Sequence, residues 1–124
     1  MIHLDTSVLI DALTGPRRLA PTLRRAIEEG HRLACSTVVL YEWWRGPRAP
    51  EELAAQNALL PREQAIAFGV EEAALAAKLY RTLRRPRGRE IDLVVAACAL
   101  AHGAALWTLN EADFRDVPGL IFYR

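Results

Sequence analysis

The sequence predicts an α/β fold with a mostly parallel central sheet. Apolar runs of strand length alternate with longer stretches of helical periodicity, as they do where helices cross over between parallel strands. No repeat, low-complexity tract or linker divides the 124 residues, which suit a single domain over 1–124 with its own core. An acid, Asp5, follows the first apolar run directly, at the strand end where sheets of this class assemble their sites.

Strands are expected at Ile2–Leu4, Leu33–Cys35, Ala65–Phe68, Ala105–Thr108 and Leu120–Tyr123. Helices are expected at Thr6–Leu13, Pro21–Glu29, Thr37–Arg45, Pro50–Leu60, Val70–Leu83 and Glu90–His102, with a short one at Glu111–Phe114. Ser36 is placed to cap the third helix and Gly46-Pro47 to end it. Pro21 and Pro50 suit a first helical turn, and Gly103 suits the residue after a helix end. A basic loop, Arg84-Arg85-Pro86-Arg87-Gly88-Arg89, leads into Asp92.

Composition narrows the class. A hydrophobic content of 52% with 25% charge is that of a globular chain, neither disordered nor membranous. The most apolar run, Leu93–Leu100, is too short to span a bilayer, and no basic segment precedes an apolar one at the N-terminus. The expectation is a cytoplasmic protein with no membrane partner. Cys35 and Cys98 lie in separate apolar segments without CxxC spacing and read as buried free thiols. A net charge of +1 does not announce a nucleic-acid binder. Lys78 is the only lysine, so arginine supplies nearly all the basic groups. Arginine suits phosphate, although a GC-rich genome produces the same bias.

The chemistry lies in the acids. Asp5 is placed to cap the helix after it, and Asp92 sits in a first helical turn where the dipole favours an anion. Either can be explained alone. Glu42 cannot, because it lies mid-helix among Val38, Val39, Leu40, Tyr41, Trp43 and Trp44, where a lone acid needs a partner. Asp113 follows a strand-and-turn segment and also reads as a surface acid beside Glu111 and Asp116. Carboxylates converging from apolar runs that hold no matching cations point to a hard divalent ion, Mg²⁺ or Mn²⁺ rather than zinc. Such an ion activates water and offsets charge on a phosphate, the chemistry of nucleases.

The ordered motifs resemble the PIN-domain ribonucleases, and among them the VapC toxins of bacterial and archaeal toxin–antitoxin pairs. They are Asp5-Thr6-Ser7, Glu42-x-x-x-Gly46, Asp92 opening an Ala-rich helix, and Thr108-x-Asn110-x-x-Asp113-Phe114 followed by Pro118-Gly119-Leu120. The resemblance covers essentially the whole chain. It implies a Rossmann-like three-layer α/β/α sandwich, RNA cleavage dependent on Mg²⁺ or Mn²⁺, a homodimer, and inhibition by a cognate VapB-type antitoxin. Asp5, Glu42 and Asp92 match the family's three acidic positions, and Thr6 its supporting hydroxyl. Thr108 stands as a second supporting hydroxyl. The fourth position departs from the pattern: many relatives have Asp where this chain has Asn110, with a further Asp at Asp113. Asn110 offers a carbonyl but no charge, so the expectation is one tightly held ion.

Other residues are weighed against plainer roles. His3, His31 and His102 make no Ser-His-Asp set. Trp43 reads as a core side chain, whereas Trp44 divides between core flank and a surface that stacks on bases or grips an antitoxin. Arg85, Arg87 and Arg89 are either a solvated turn or the RNA-backbone contact. The Pro50–Leu60 helix is either an antitoxin groove wall or a core helix. The reading is a metal-dependent endoribonuclease with Asp5, Glu42, Asp92 and Asp113 in catalytic roles: Asp5 and Asp92 hold the ion directly, Glu42 binds it through water or acts as general base, and Asp113 with Asn110 completes the cage. The alternative is a non-catalytic PIN-like module that binds RNA or protein.

Overall fold

The structure, a computed structural model, describes all 124 residues. Three parallel strands, Ile2–Leu4 (β1), Leu33–Ala34 (β2) and Ala105–Trp107 (β3), form a sheet in the order β2-β1-β3. His3 lies opposite Ala34 on one side and Leu106 on the other. Every residue of β1 is buried, as a central strand covered on both faces must be. The helices are Thr6–Leu13 (α1), Ala20–Glu28 (α2), Thr37–Arg45 (α3), Pro50–Leu59 (α4), Val70–Thr82 (α5) and Glu90–Ala101 (α6). Two 3₁₀ turns, Arg62–Gln64 and Glu111–Asp113, complete the chain.

Helix positions follow the sequence expectation to within a residue or two at each end. Two expected strands do not. Ala65–Phe68 and Leu120–Tyr123 each shrink to a single parallel bridge, Ser36 with Ile66 and Leu106 with Phe122. On one edge the 3₁₀ turn ends at Gln64, and the Thr37 hydroxyl takes the Phe68 amide at 3.2 Å just before α5 begins. That leaves room for one ladder step. On the other edge Gly119, with φ +78°, turns the chain onto β3, where Leu106 accepts from Tyr123 and donates to Ile121, both at 2.8 Å. The parallel sheet thus extends one step beyond each outer strand.

The core forms where α6 packs on α5, α3 and β3, while α1 packs on α2, α3 and α4. Leu93 and Val95 to Ala99 are all buried, so α6 has little free surface. Trp43, Phe114, Leu4, Leu9 and Leu106 fill the centre. Trp43 is the expected core tryptophan, and its exposed neighbour Trp44 is not. Both cysteines are buried and free, and burial pushes their thiols up to about 12 for Cys35 and about 11 for Cys98. His3 is fully buried without a partner for either ring nitrogen, and burial lowers its pKa to about 4, leaving it neutral. Helix α4 is not a core helix: of its residues only Gln56 is buried. No helix is long and apolar enough to cross a membrane.

Strand order decides where a site can form. The chain leaves β1 for β2 on one side and crosses to β3 on the other, so the connections diverge at the C-terminal end of β1. Asp5 and Thr108 stand at the mouth of that crevice. Ser36 holds one wall, because its hydroxyl accepts from the Val39 amide at 3.3 Å and caps α3. Ser36→Ala should lower unfolding free energy by about 1 kcal/mol in denaturant titration, with the slope unchanged. An unmoved midpoint would show that the cap contributes nothing.

Candidate active site

Asp5 occupies the N-cap position of α1, but its carboxylate makes no capping bond. Instead its Oδ2 accepts from the Thr108 hydroxyl at 2.7 Å and the Ser7 hydroxyl at 3.0 Å. The direction of both bonds is fixed. Thr108 Oγ1 already accepts from the Asn110 amide at 3.0 Å, and Ser7 Oγ from the Leu109 amide at 3.1 Å, which turns both protons towards Asp5. The backbone joins the same contact, since the Asp5 amide donates to Trp107 at 2.9 Å. A carboxylate only 6% exposed is thereby held without any cationic partner.

Glu42 reaches the same region from α3, whose inner face is Val39, Leu40 and Trp43. Thr6 donates to its Oε1 at 2.7 Å, which supplies the partner that an acid among apolar neighbours requires. Its Oε2 has only the exposed Arg45 at 3.5 Å, a contact of little energetic weight. Asp92 stands in the first turn of α6, half-buried. Burial first, then the charges of Asp5, Asp113 and Glu42, push its pKa up to about 6, with Arg89 opposing only in part. The favourable helix dipole is therefore outweighed by desolvation and by the other acids.

Asp113 is exposed in the 3₁₀ turn, with its amide donating to the Asn110 carbonyl at 2.9 Å, and Asn110 is exposed at the start of that turn. The turn brings Asp113 close enough to act on Asp92 and Arg89. As they stand, no three acidic, histidine or cysteine side chains are close enough together to grip a metal ion. The acids share a neighbourhood and one another's field, but each is held by its own hydroxyl or turn. The set is more open than the cage expected from sequence. The donors still fit a hard cation: all are oxygen, and Asp92 has no hydrogen-bonded cation of its own.

The basic loop divides. Arg85 and Arg87 are exposed. Arg89 is turned inward: it grips Asp116 through both terminal nitrogens at 2.6 and 2.9 Å and donates to the carbonyls of Asp113 and Arg85 at 2.8 and 3.1 Å. It braces the loop before α6 against the turn carrying Asp113. Sequence reasoning assigned no such brace and gave Ser7 no role. Ser7 was within reach, being a hydroxyl two positions after the acid. The link from Arg89 to Asp116 spans 27 residues and leaves no local pattern.

A family model described as PIN domain matches residues 2–120. The chain belongs to the PIN-domain family. Ribonuclease VapC19 of Mycobacterium tuberculosis is 31% identical over 119 residues, covering 94% of each chain. Among solved structures, VapBC2 from Rickettsia felis, bound to a DNA fragment from their promoter, matches with a TM-score of 0.75 at 21% identity, over 99% of this chain and 98% of that one. FitAcB from Neisseria gonorrhoeae matches with a TM-score of 0.75 at 20% identity, over 99% and 97%. These structural matches establish the PIN-like α/β fold.

The raised pKa of Asp92 yields a stability test for the metal-free PIN domain. Asp92→Asn removes a charge that is poorly solvated and surrounded by like charges. It should raise the melting temperature by about 3–6 °C at pH 7.5 in the presence of chelator. A lower melting temperature would mean that Asp92 is stabilised by contacts beyond those described.

Proposed function

We propose that this PIN domain is a metal-dependent endoribonuclease, the toxin of a VapBC-type pair. The observation that carries the reading is the set of acids gathered at the C-terminal strand ends, with Asp92 pushed up to about 6 by burial and by Asp5, Asp113 and Glu42. Such a set is stabilised by a cation. The relative named Ribonuclease VapC19 supports the activity, and the structural matches named as VapBC complexes support a VapB-type partner.

Asp5 and Asp92 would hold Mg²⁺ or Mn²⁺ directly, with Asp113 and the Asn110 carbonyl completing the set. The ion would supply Lewis-acid stabilisation of charge on the phosphate and a more acidic water. Thr108 and Ser7 keep Asp5 aimed into the crevice. Thr6 occupies Oε1 of Glu42, and Oε2, met only by the exposed Arg45 at 3.5 Å, would take the proton of the attacking water. The new oxygen–phosphorus bond replaces the one to the leaving oxygen, which takes its proton from solvent. Arg85 and Arg87 are free to meet the RNA backbone, while Arg89 keeps the loop that presents them in place.

A second copy of the chain and an antitoxin are the proposed protein partners. The antitoxin surface is exposed Trp44 with Leu53, beside a hollow of about 300 Å³ that Gln56, Asn57 and Arg62 also line. Trp44→Ala should weaken a copurified antitoxin complex at least tenfold, as loss of a central interface tryptophan does. An unchanged affinity would remove Trp44 from that interface.

Single-turnover cleavage of total tRNA across a Mn²⁺ titration tests the activity. Asp5→Asn should abolish cutting, and Asp113→Asn should slow it at least as much as Glu42→Gln, because Asn110 brings no charge and the neighbouring acids Glu111 and Asp116 are taken by Arg124 and Arg89. Asn110→Asp should keep activity or lower the Mn²⁺ requirement. Wild-type protein that binds RNA at every Mn²⁺ level without cutting it would favour the non-catalytic binding module instead.

A further inference from the structure

Beside the acids lies a second hollow, of about 360 Å³, lined by Ser7, Ile10, Asp11, Thr14, Gly15, Pro16, Arg18 and Leu109. Building on the nuclease reading, we propose that this hollow seats a nucleobase next to the scissile phosphate, and that Asp11 selects bases carrying an exocyclic amine over uracil.

The first ground is continuity. Leu109, on one wall, donates its amide to Ser7 at 3.1 Å, and Ser7 donates to Asp5 at 3.0 Å. The hollow therefore opens one hydroxyl away from the central carboxylate, within the reach of a nucleotide whose phosphate lies at the acids. The second ground is the lining. Ile10 and Leu109 are 38% and 50% exposed and place aliphatic surface beside the acidic site. They offer a face on which the flat side of a base can lie. Exposed Arg18 supplies positive charge in the lining, suited to an adjoining phosphate.

The third ground is Asp11. Its Oδ1 accepts from the Leu19 amide at 2.9 Å, pinning the loop from Thr14 to Leu19, while its Oδ2 has no protein partner. The loop is built rather than slack: Arg17 donates its amide to Thr14, Ala20 donates to Arg17, and Arg17 is the only residue other than glycine with positive φ, at 55°. A carboxylate oxygen is an acceptor only. It receives the amines of cytosine, adenine or guanine, whereas uracil offers it only the ring N3–H, flanked by two carbonyl oxygens that it repels.

The test is sequencing of cleavage products from a randomised RNA pool, with KM and kcat measured on one preferred substrate, using the full chain with Mn²⁺. Asp11→Asn retains an acceptor for the Leu19 amide but replaces the charge with a group that also donates. It should raise the share of cuts flanked by uracil at one position while leaving kcat within about twofold. Leu109→Ser, which keeps its backbone amide, should raise KM about tenfold with kcat little changed, as expected for lost apolar contact with a base. Unaltered cut-site composition in Asp11→Asn and an unaltered KM in Leu109→Ser, with wild type cutting normally, overturn the proposal and leave the nuclease reading standing. A wild-type protein that cuts no RNA in the pool overturns both.

Discussion

A buried carboxylate held by hydroxyls instead of a cation sets the terms for the rest of this structure. Asp5 is 6% exposed and its only side-chain partners are Thr108 and Ser7. A charge taken from water needs compensation, and two neutral donors give only part of it. The strand order makes the arrangement unavoidable. With β1 between β2 and β3, the residue after β1 and the residue after β3 must face each other, and Asp5 and Thr108 are those residues. Lengthening the β1–α1 turn or moving Thr108 by one position would break the contact, because side chains alternate along a strand.

The remaining acids add to the same imbalance. Glu42 and Asp92 arrive on α3 and α6, which pack against each other in the core, so neither can move away without disturbing buried Val39, Trp43, Leu93 or Val95. Asp113 is different in kind. It sits on an exposed turn, yet Arg89 braces that turn by donating to both Asp116 and the Asp113 carbonyl. Two acids are thus fixed by the core and one by a surface brace, with Asp5 fixed by the sheet. Little cationic charge reaches the acids, because Arg89 is spent on Asp116 and the only ion pair to Glu42 is the exposed one from Arg45 at 3.5 Å.

Much of this was legible in the sequence because it is local. Helix α3 has its cap at Ser36 and its end at Gly46, and α6 has a continuous apolar run, so periodicity and punctuation place Glu42 and Asp92 correctly. The parallel sheet was legible in kind but not in extent. Ala65–Phe68 and Leu120–Tyr123 have strand composition, yet how many ladder bonds they form depends on turns made elsewhere. Trp43 and Trp44 illustrate the limit of composition: adjacent and identical, they part only because a helix has one inner face. The spacing between acids was not legible, because it depends on which hydroxyl each carboxylate meets. Thr6 meets Glu42, 36 positions away, and Thr108 meets Asp5, 103 positions away.

The account stands on a cation being the missing compensation. Calorimetric titration of the metal-free protein with Mn²⁺, in parallel with Asp5→Asn and Arg87→Ala, measures that directly. The account predicts saturable binding of about one ion per chain in wild type and Arg87→Ala, and its loss in Asp5→Asn, since hard cations need the carboxylates and not the loop arginine. Wild-type protein that takes up no Mn²⁺, or Asp5→Asn that binds it as tightly as wild type, would contradict the account.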